Sequence, residues 1–278
     1  MAPIFVIARL TIREAQRRRL LWVALFMGIA FLLVFGVAFH FIRLDIERQV
    51  APSEDLSFIS LFLLTAGLYA ANLMTNVVAV LVSVTTLSGE IESHTIDAIV
   101  TKPIPRWQVV LGKWLGFAGL VLTYMLFLTG GLMLIVYLRS GFAMENIGRG
   151  IAMMALAALL VLTVSIAGGT RLSTIANGVM TFMLFGLAFM GGLVEQVGAL
   201  IRNTAAVNVG IVSSLIMPAD SLWKKATVYF QPSDVSNPFE LGPFAAITEP
   251  STLMVAYAVV YLLALLAFAL WSFSRRDL

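Results

Sequence analysis

The sequence predicts an all-α polytopic membrane protein with six transmembrane helices, and three observations carry that reading. Of its 278 residues, 60% are hydrophobic and only 12% are charged, against roughly 25% charged in soluble domains. Its mean hydropathy is +0.96. Several uncharged runs reach or exceed the ~20 residues a helix needs to cross the hydrocarbon core, and a soluble chain this short could not bury them all. The net charge of +3 belongs with membrane orientation rather than nucleic acid, because Lys and Arg flanking spans set topology. The chain has no cysteine, so disulfides and thiol chemistry are excluded. The first apolar run lacks a small-residue cleavage site, so it is expected to remain as a span rather than to be a cleaved signal peptide.

Taken in order within a single transmembrane domain, 1–278, residues 3–19 predict an interfacial helix. Arg9, Arg13 and Arg17 recur at i, i+4, i+8, while Ile4, Ile7, Ala8, Ile12 and Ala15 collect on the other side, the pattern of a helix lying among lipid headgroups. The same arginines serve equally well as a topological anchor. The first span is 20–42, and the mixed charges between Arg43 and Asp55 suit a short external loop. The second span, 56–87, is polar for its class. Tyr69, Asn72 and Asn76 share one of its faces, and amides in lipid face either a helix neighbour or a cavity. These three are therefore candidates for a helix contact or for a translocation path.

The third, fourth and fifth spans are 114–138, 151–170 and 172–194. Glycines such as Gly168, Gly169, Gly191 and Gly192 serve close helix packing. In the external segment 195–250, Asn203–Ala219 is short and interrupted by Asn208, Gly210, Ser213 and Ser214. It is expected to be a re-entrant or interfacial helix rather than a seventh span. The last span is 251–273, followed by Arg275 and Arg276. Basic residues beside both termini place both in the cytosol, and an even number of spans then follows. Glu195, at a span end, has no evident cationic partner in the sequence.

Leu87–Lys113 is a polar island between the second and third spans. It carries Glu90, Glu92, His94, Asp97, Lys102, Pro103, Pro105, Arg106, Trp107 and Lys113. Ser88 can act as an N-cap, with Glu90 in the first turn. Pro103 and Pro105 end the helix, and Lys113 can snorkel as the next span begins. The segment 88–106 is read as a short cytosolic amphipathic helix with a proline turn. Sequence motifs for catalysis are missing: there is no G-x-x-x-x-G-K-[ST], no H-E-x-x-H and no G-x-S-x-G. Glu90 and His94 stand at i, i+4 but have no third metal ligand nearby. No enzyme, resident cofactor or metal site is expected in this chain.

Glu90, Thr95, Ile99, Lys102-Pro103, Arg106 and Gly112-Lys113 resemble, in order and spacing, the signature of type-2 ABC transporter permeases. The Phe-x-Arg-Arg-Asp-Leu ending at 273–278 and the Arg-x-Thr-x-x-Glu opening from Arg9 are also similar to that family's, most closely to the branch described as multicopper-enzyme maturation permeases. The resemblance implies a membrane subunit of an ATP-driven exporter in a bacterial cytoplasmic (inner) membrane. It implies pairing with a second permease copy as a homodimer and with two copies of a separate ATP-binding subunit, which carries the ATP and Mg. Carried over by position, Glu90, Glu92, Thr95, Asp97, Lys102, Pro103 and Arg106 would couple to that subunit. The second and fifth spans would line the dimer interface, near Tyr69, Asn72 and Asn76. A membrane anchor acting mechanically on a partner protein, without transport, is the alternative. An ion-coupled carrier is disfavoured because no span shows a central acid or a paired charge.

Overall fold

A backbone in lipid has no water to bond with, so a chain this apolar must satisfy its amides within helices. The computed structural model describes residues 3–17, 19–49, 53–92, 105–144, 146–231, 246 and 249–275. Among these residues there are nine helices and no strand: α1 (Pro3–Arg17), α2 (Arg19–Gln49), α3 (Ser53–Glu92), α4 (Arg106–Ser140), α5 (Ile147–Gly169), α6 (Thr174–Leu200), α7 (Thr204–Ile216), α8 (Ala219–Phe230) and α9 (Thr252–Ser274). Six of them, α2 to α6 and α9, are long and apolar enough to cross a membrane, in agreement with the six spans read from the sequence.

The helix at the centre is α5, which packs against α3, α4, α6, α8 and α9. Leu160, Val161 and Leu162, three consecutive residues and so three directions round the helix, are all fully buried. A helix enclosed on every side needs apolar residues on every face, and α5 has no charge after Arg149. Polar side chains tie it to its neighbours. The Ser83 hydroxyl of α3 bonds to the Ser165 hydroxyl at 2.7 Å, Trp114 Nε1 of α4 donates to Thr163 Oγ1 at 2.9 Å, and Asn177 Nδ2 of α6 donates to the Ser165 carbonyl at 2.9 Å. By contrast α2 stands at the edge of the bundle, with Phe26, Met27, Leu33, Val34 and Phe41 exposed.

At the N-terminus, α1 is docked rather than simply floating at an interface. Its buried side chains are Ile7, Thr11 and Ala15, while Arg9, Arg13 and Arg17 are exposed. The buried stripe is thus rotated slightly from the apolar side read in the sequence, and it includes a threonine whose hydroxyl is satisfied by the Ile7 carbonyl at 2.9 Å. What selects this face is α4, which meets it with two glycines one turn apart. A Cβ added at Gly112 would stand 2.7 Å from Ile7 Cβ, and one at Gly116 would stand 2.9 Å from the Ala8 carbonyl oxygen.

After the fifth span, residues 203–231 form a re-entrant V. From the end of α6 the chain reverses at Arg202, whose φ is +55°, and Asn203 caps α7 by accepting from the Ala205 and Ala206 amides. Gly198 lies against Ala206, Gly210 against Glu195, and Gly191 against Ser213. Contacts that advance on one helix as they retreat on the other define an antiparallel hairpin. A 106° bend at Met217–Pro218 then leads into α8. Phe230, at the far end of α8, packs on Gly150 at the start of α5. The V therefore enters and leaves at the same end of the bundle, which keeps the span count even.

Three local expectations change. α3 continues through Ser88 to Glu92, so Ser88 is inside a helix and not at its N-cap; nothing between Leu87 and Glu92 breaks a helix strongly enough to start another. Pro105 is the N-cap of α4, with ψ 131°, and Arg106 is already that helix's first residue. Lys113 does not snorkel, since α1 and its surroundings leave it 4% exposed.

The α1–α4 crossing predicts that Gly116→Leu destabilises the protein by about 1–3 kcal/mol through overpacking. Gly130→Leu, where an added Cβ meets nothing within 4 Å, should leave unfolding in detergent nearly unchanged, and comparing the two denaturation curves checks this.

Candidate functional site

The residues expected to couple the chain to a partner fall at the ends of two helices. Glu90 and Glu92 are in the last turn of α3, and Arg106 opens α4, where it is half-buried. His94, Thr95, Asp97, Lys102 and Pro103 lie outside the described residues. The helices that bracket this segment are unusually long: α3 has 40 residues and α4 has 35. At ~1.5 Å per residue these are rods of about 60 and 52 Å, against a hydrocarbon core of ~30 Å. They pack against each other and against α5.

Tyr69, Asn72 and Asn76 do share a face of α3. The Tyr69 ring lies 6.2 Å from that of Phe189 on α6 and 5.6 Å, edge-on, from that of Trp223 on α8. Asn76, 1% exposed, donates to the Asn72 carbonyl at 2.9 Å and to its Oδ1 at 3.3 Å. Tyr69 and Asn72, with Phe185, Phe189, Asp220 and Trp223, line a cavity of about 10 Å³, about the least that holds one water. The neighbours of Tyr69 and Asn72 within the chain are therefore α6 and α8.

Beside this cavity lies a charge cluster that the sequence reading missed. Lys224 of α8, 1% exposed, reaches Glu195 of α6 at 2.8 Å and Asp220 of its own helix at 3.2 Å, and also donates to the Gly192 carbonyl at 3.2 Å. Glu195 thus has a cationic partner, which corrects the earlier reading; the partner is 29 residues away along the chain and arrives only because the V folds back. The contact to Asp220 is an ion contact rather than an aligned hydrogen bond. Gly192 is required here, because a Cβ would occupy the space of the Asp220 carboxylate. The signals in the sequence were the i, i+4 pair Asp220–Lys224 directly after Pro218 and an acid in an otherwise apolar α6.

Two carboxylates sharing one ammonium in a buried site leave an excess negative charge. Next along α8, Lys225 bonds to Glu249 at 2.6 Å and to the Pro250 carbonyl at 3.0 Å, fixing the V to the start of α9. The hydroxyls of Tyr257 and Tyr261 on α9 donate to the Leu215 and Ile216 carbonyls at 2.6 and 2.9 Å, satisfying acceptors that a helix end leaves open. Among the described residues no group of three or more His, Asp or Glu gathers that could hold a metal.

A family model described as "ABC-2 family transporter protein" matches residues 5–278, a stretch that takes in α1, the polar segment between α3 and α4, the V and the last span. No curated protein matches the chain.

Removing the lysine alone leaves two buried carboxylates facing each other. Lys224→Met should cost about 3–5 kcal/mol, and adding Glu195→Gln and Asp220→Asn should recover most of that loss in a denaturant titration.

Proposed function

The chain belongs to the ABC-2 family of transporter proteins, and on that premise we propose that it is the permease subunit of an ATP-driven exporter, coupled to its ATPase through the polar segment between α3 and α4. The observation that carries this reading is the pair of long helices. α3 and α4 are both longer than the hydrocarbon core is thick, they flank the segment 93–104, and both pack on α5. A displacement applied to that segment would be delivered to two rods at once. Each is a single unbroken helix, which satisfies its backbone internally. α1, clamped on Gly112 and Gly116 of α4, would brace the same end.

In this reading the end holding α1, the α3–α4 segment and the end of α9 is cytosolic, as the positive-inside bias favours, and the membrane is the bacterial inner membrane. Glu90, Glu92 and Arg106, with Thr95, Asp97, Lys102 and Pro103, would face the ATP-binding subunit. That subunit would hold ATP and Mg and be present in two copies. A second permease copy would complete the transporter, and the exposed apolar side of α6, including Met183, Met190 and Val197, is the part of the predicted interface that is open to it. α3 offers much less: of its large apolar residues, only Leu73 is exposed between Ile59 and Val84.

The purified chain alone should hydrolyse no ATP, and with its ATPase it should form a stable complex whose turnover responds to the permease. Glu90→Lys combined with Arg106→Glu should weaken co-purification and reduce ATPase activity at least tenfold. An intact complex with unchanged activity would remove the coupling assignment.

A further inference from the structure

Between α1, α2, α3 and α4 there is a cavity of about 500 Å³, inside the ~300–1,000 Å³ range of small-ligand sites. It exists because α2 touches the bundle unevenly. From Gly28 onward α2 is seated, with Gly28 against Tyr124 and Leu128 and with Leu32 over Gly131. Nearer α1 it stands off, and Leu25 lines the gap together with Val82 and Leu120. Trp22 Nε1 donates to the Gln16 carbonyl at 3.1 Å and the Tyr124 hydroxyl to the Ala24 carbonyl at 3.2 Å, bracing the two edges of the gap.

Two features say what the space accepts. The walls present hydrocarbon, because the Thr123 hydroxyl is turned onto the Gly119 carbonyl of its own helix at 2.7 Å and the Tyr124 hydroxyl is bonded to α2. At Gly119 an added Cβ would meet no atom within 4 Å, whereas Gly112 and Gly116 just before it are pressed against α1. From Gly119 to Phe127 the wall rises about 12 Å, which suits an extended chain. The second feature is charge. α1 contributes Ile12 and Gln16 to the cavity, and the same helix carries exposed Arg9, Arg13 and Arg17, with exposed Arg19 opening α2. A cluster of four or more cations beside a span is the pattern that attracts anionic lipid.

We propose that this cavity seats one acyl chain of an anionic phospholipid, whose phosphate is held by the arginine row of α1. The site lies next to the α1–α4 clamp, so its occupant fills the gap between that clamp and α2. A water-soluble ligand would find walls with few groups to bond. A headgroup without a tail would leave the cavity unused.

The test takes the full chain, delipidated in detergent, and reads its melting temperature against dioleoyl phosphatidylglycerol, dioleoyl phosphatidylcholine and glycerol phosphate. Phosphatidylglycerol should protect at about tenfold lower concentration than phosphatidylcholine, and glycerol phosphate should not protect. Gly119→Leu should raise the phosphatidylglycerol needed about tenfold. If that variant folds poorly, Leu25→Trp fills the cavity from the opposite wall and serves the same comparison. Arg9→Gln with Arg13→Gln and Arg17→Gln, all surface changes, should reduce phosphatidylglycerol to the level of phosphatidylcholine. Equal protection by the two lipids in the unmodified chain, protection by glycerol phosphate alone, or an unchanged lipid response in the cavity-filling variants would each overturn the proposal.

Discussion

Close backbone approach between helices is the constraint on which this structure depends. Lipid tails are as apolar as leucine, so helices in a bilayer gain little by hiding apolar surface from their surroundings. What remains is packing, and packing improves with every ångström that backbones can close. Gly112 and Gly116 admit α1 to α4, Gly191, Gly198 and Gly210 zip α6 to α7, and Gly150 receives Phe230 of α8. Small residues thus set which helices touch and in what register, while the larger side chains of α5 fill the space those contacts define.

The same closeness makes a buried charge tolerable. An ion removed from water costs several kcal/mol even after relaxation, and a pair offsets that only when the geometry is good and the remaining donors are satisfied. Lys224 meets this condition with Glu195, Asp220 and the Gly192 carbonyl. The interaction joins α6 to α8 beside Tyr69 and Trp223, where aromatic rings from α3 and α8 stack edge-on. The V is therefore fastened at its inner side by charge and at its outer side by Lys225 and Glu249. Two carboxylates share the one ammonium in this fastening.

Mechanical connection runs through different residues. α5 touches five other helices, and its hydroxyls at Thr163 and Ser165 bond to α4 and α3. At the tight turn after α5, the Thr170 hydroxyl and Arg171 Nε both meet the Ser272 hydroxyl of α9, at 3.1 and 2.6 Å. A shift of α3 or α4 along its axis would strain these bonds and reach α6 and α9 through α5. α2 is tied to α4 through the Tyr124 hydroxyl on its Ala24 carbonyl and through Arg43 on the Arg139 carbonyl, and the cavity lies beside it near α1.

Much of this was legible in the residues themselves. Hydropathy and charge placement determined an all-α, six-span chain, because the length of an uncharged run and the positions of Lys and Arg are local properties that a bilayer reads directly. The short, interrupted run Asn203–Ala219 showed that it was not an ordinary span, since a helix needs about 20 residues to cross. The face by which α1 docks, the burial of Lys113 and the partner of Glu195 were not legible. The missing information was distance in space: Lys224 stands 29 residues from Glu195, and only the hairpin at Arg202 and the bend at Pro218 bring them together. Sequence determined which segments enter the membrane; tertiary packing decided which polar groups met inside it, because a buried charge is stable only where a second helix supplies the opposite one.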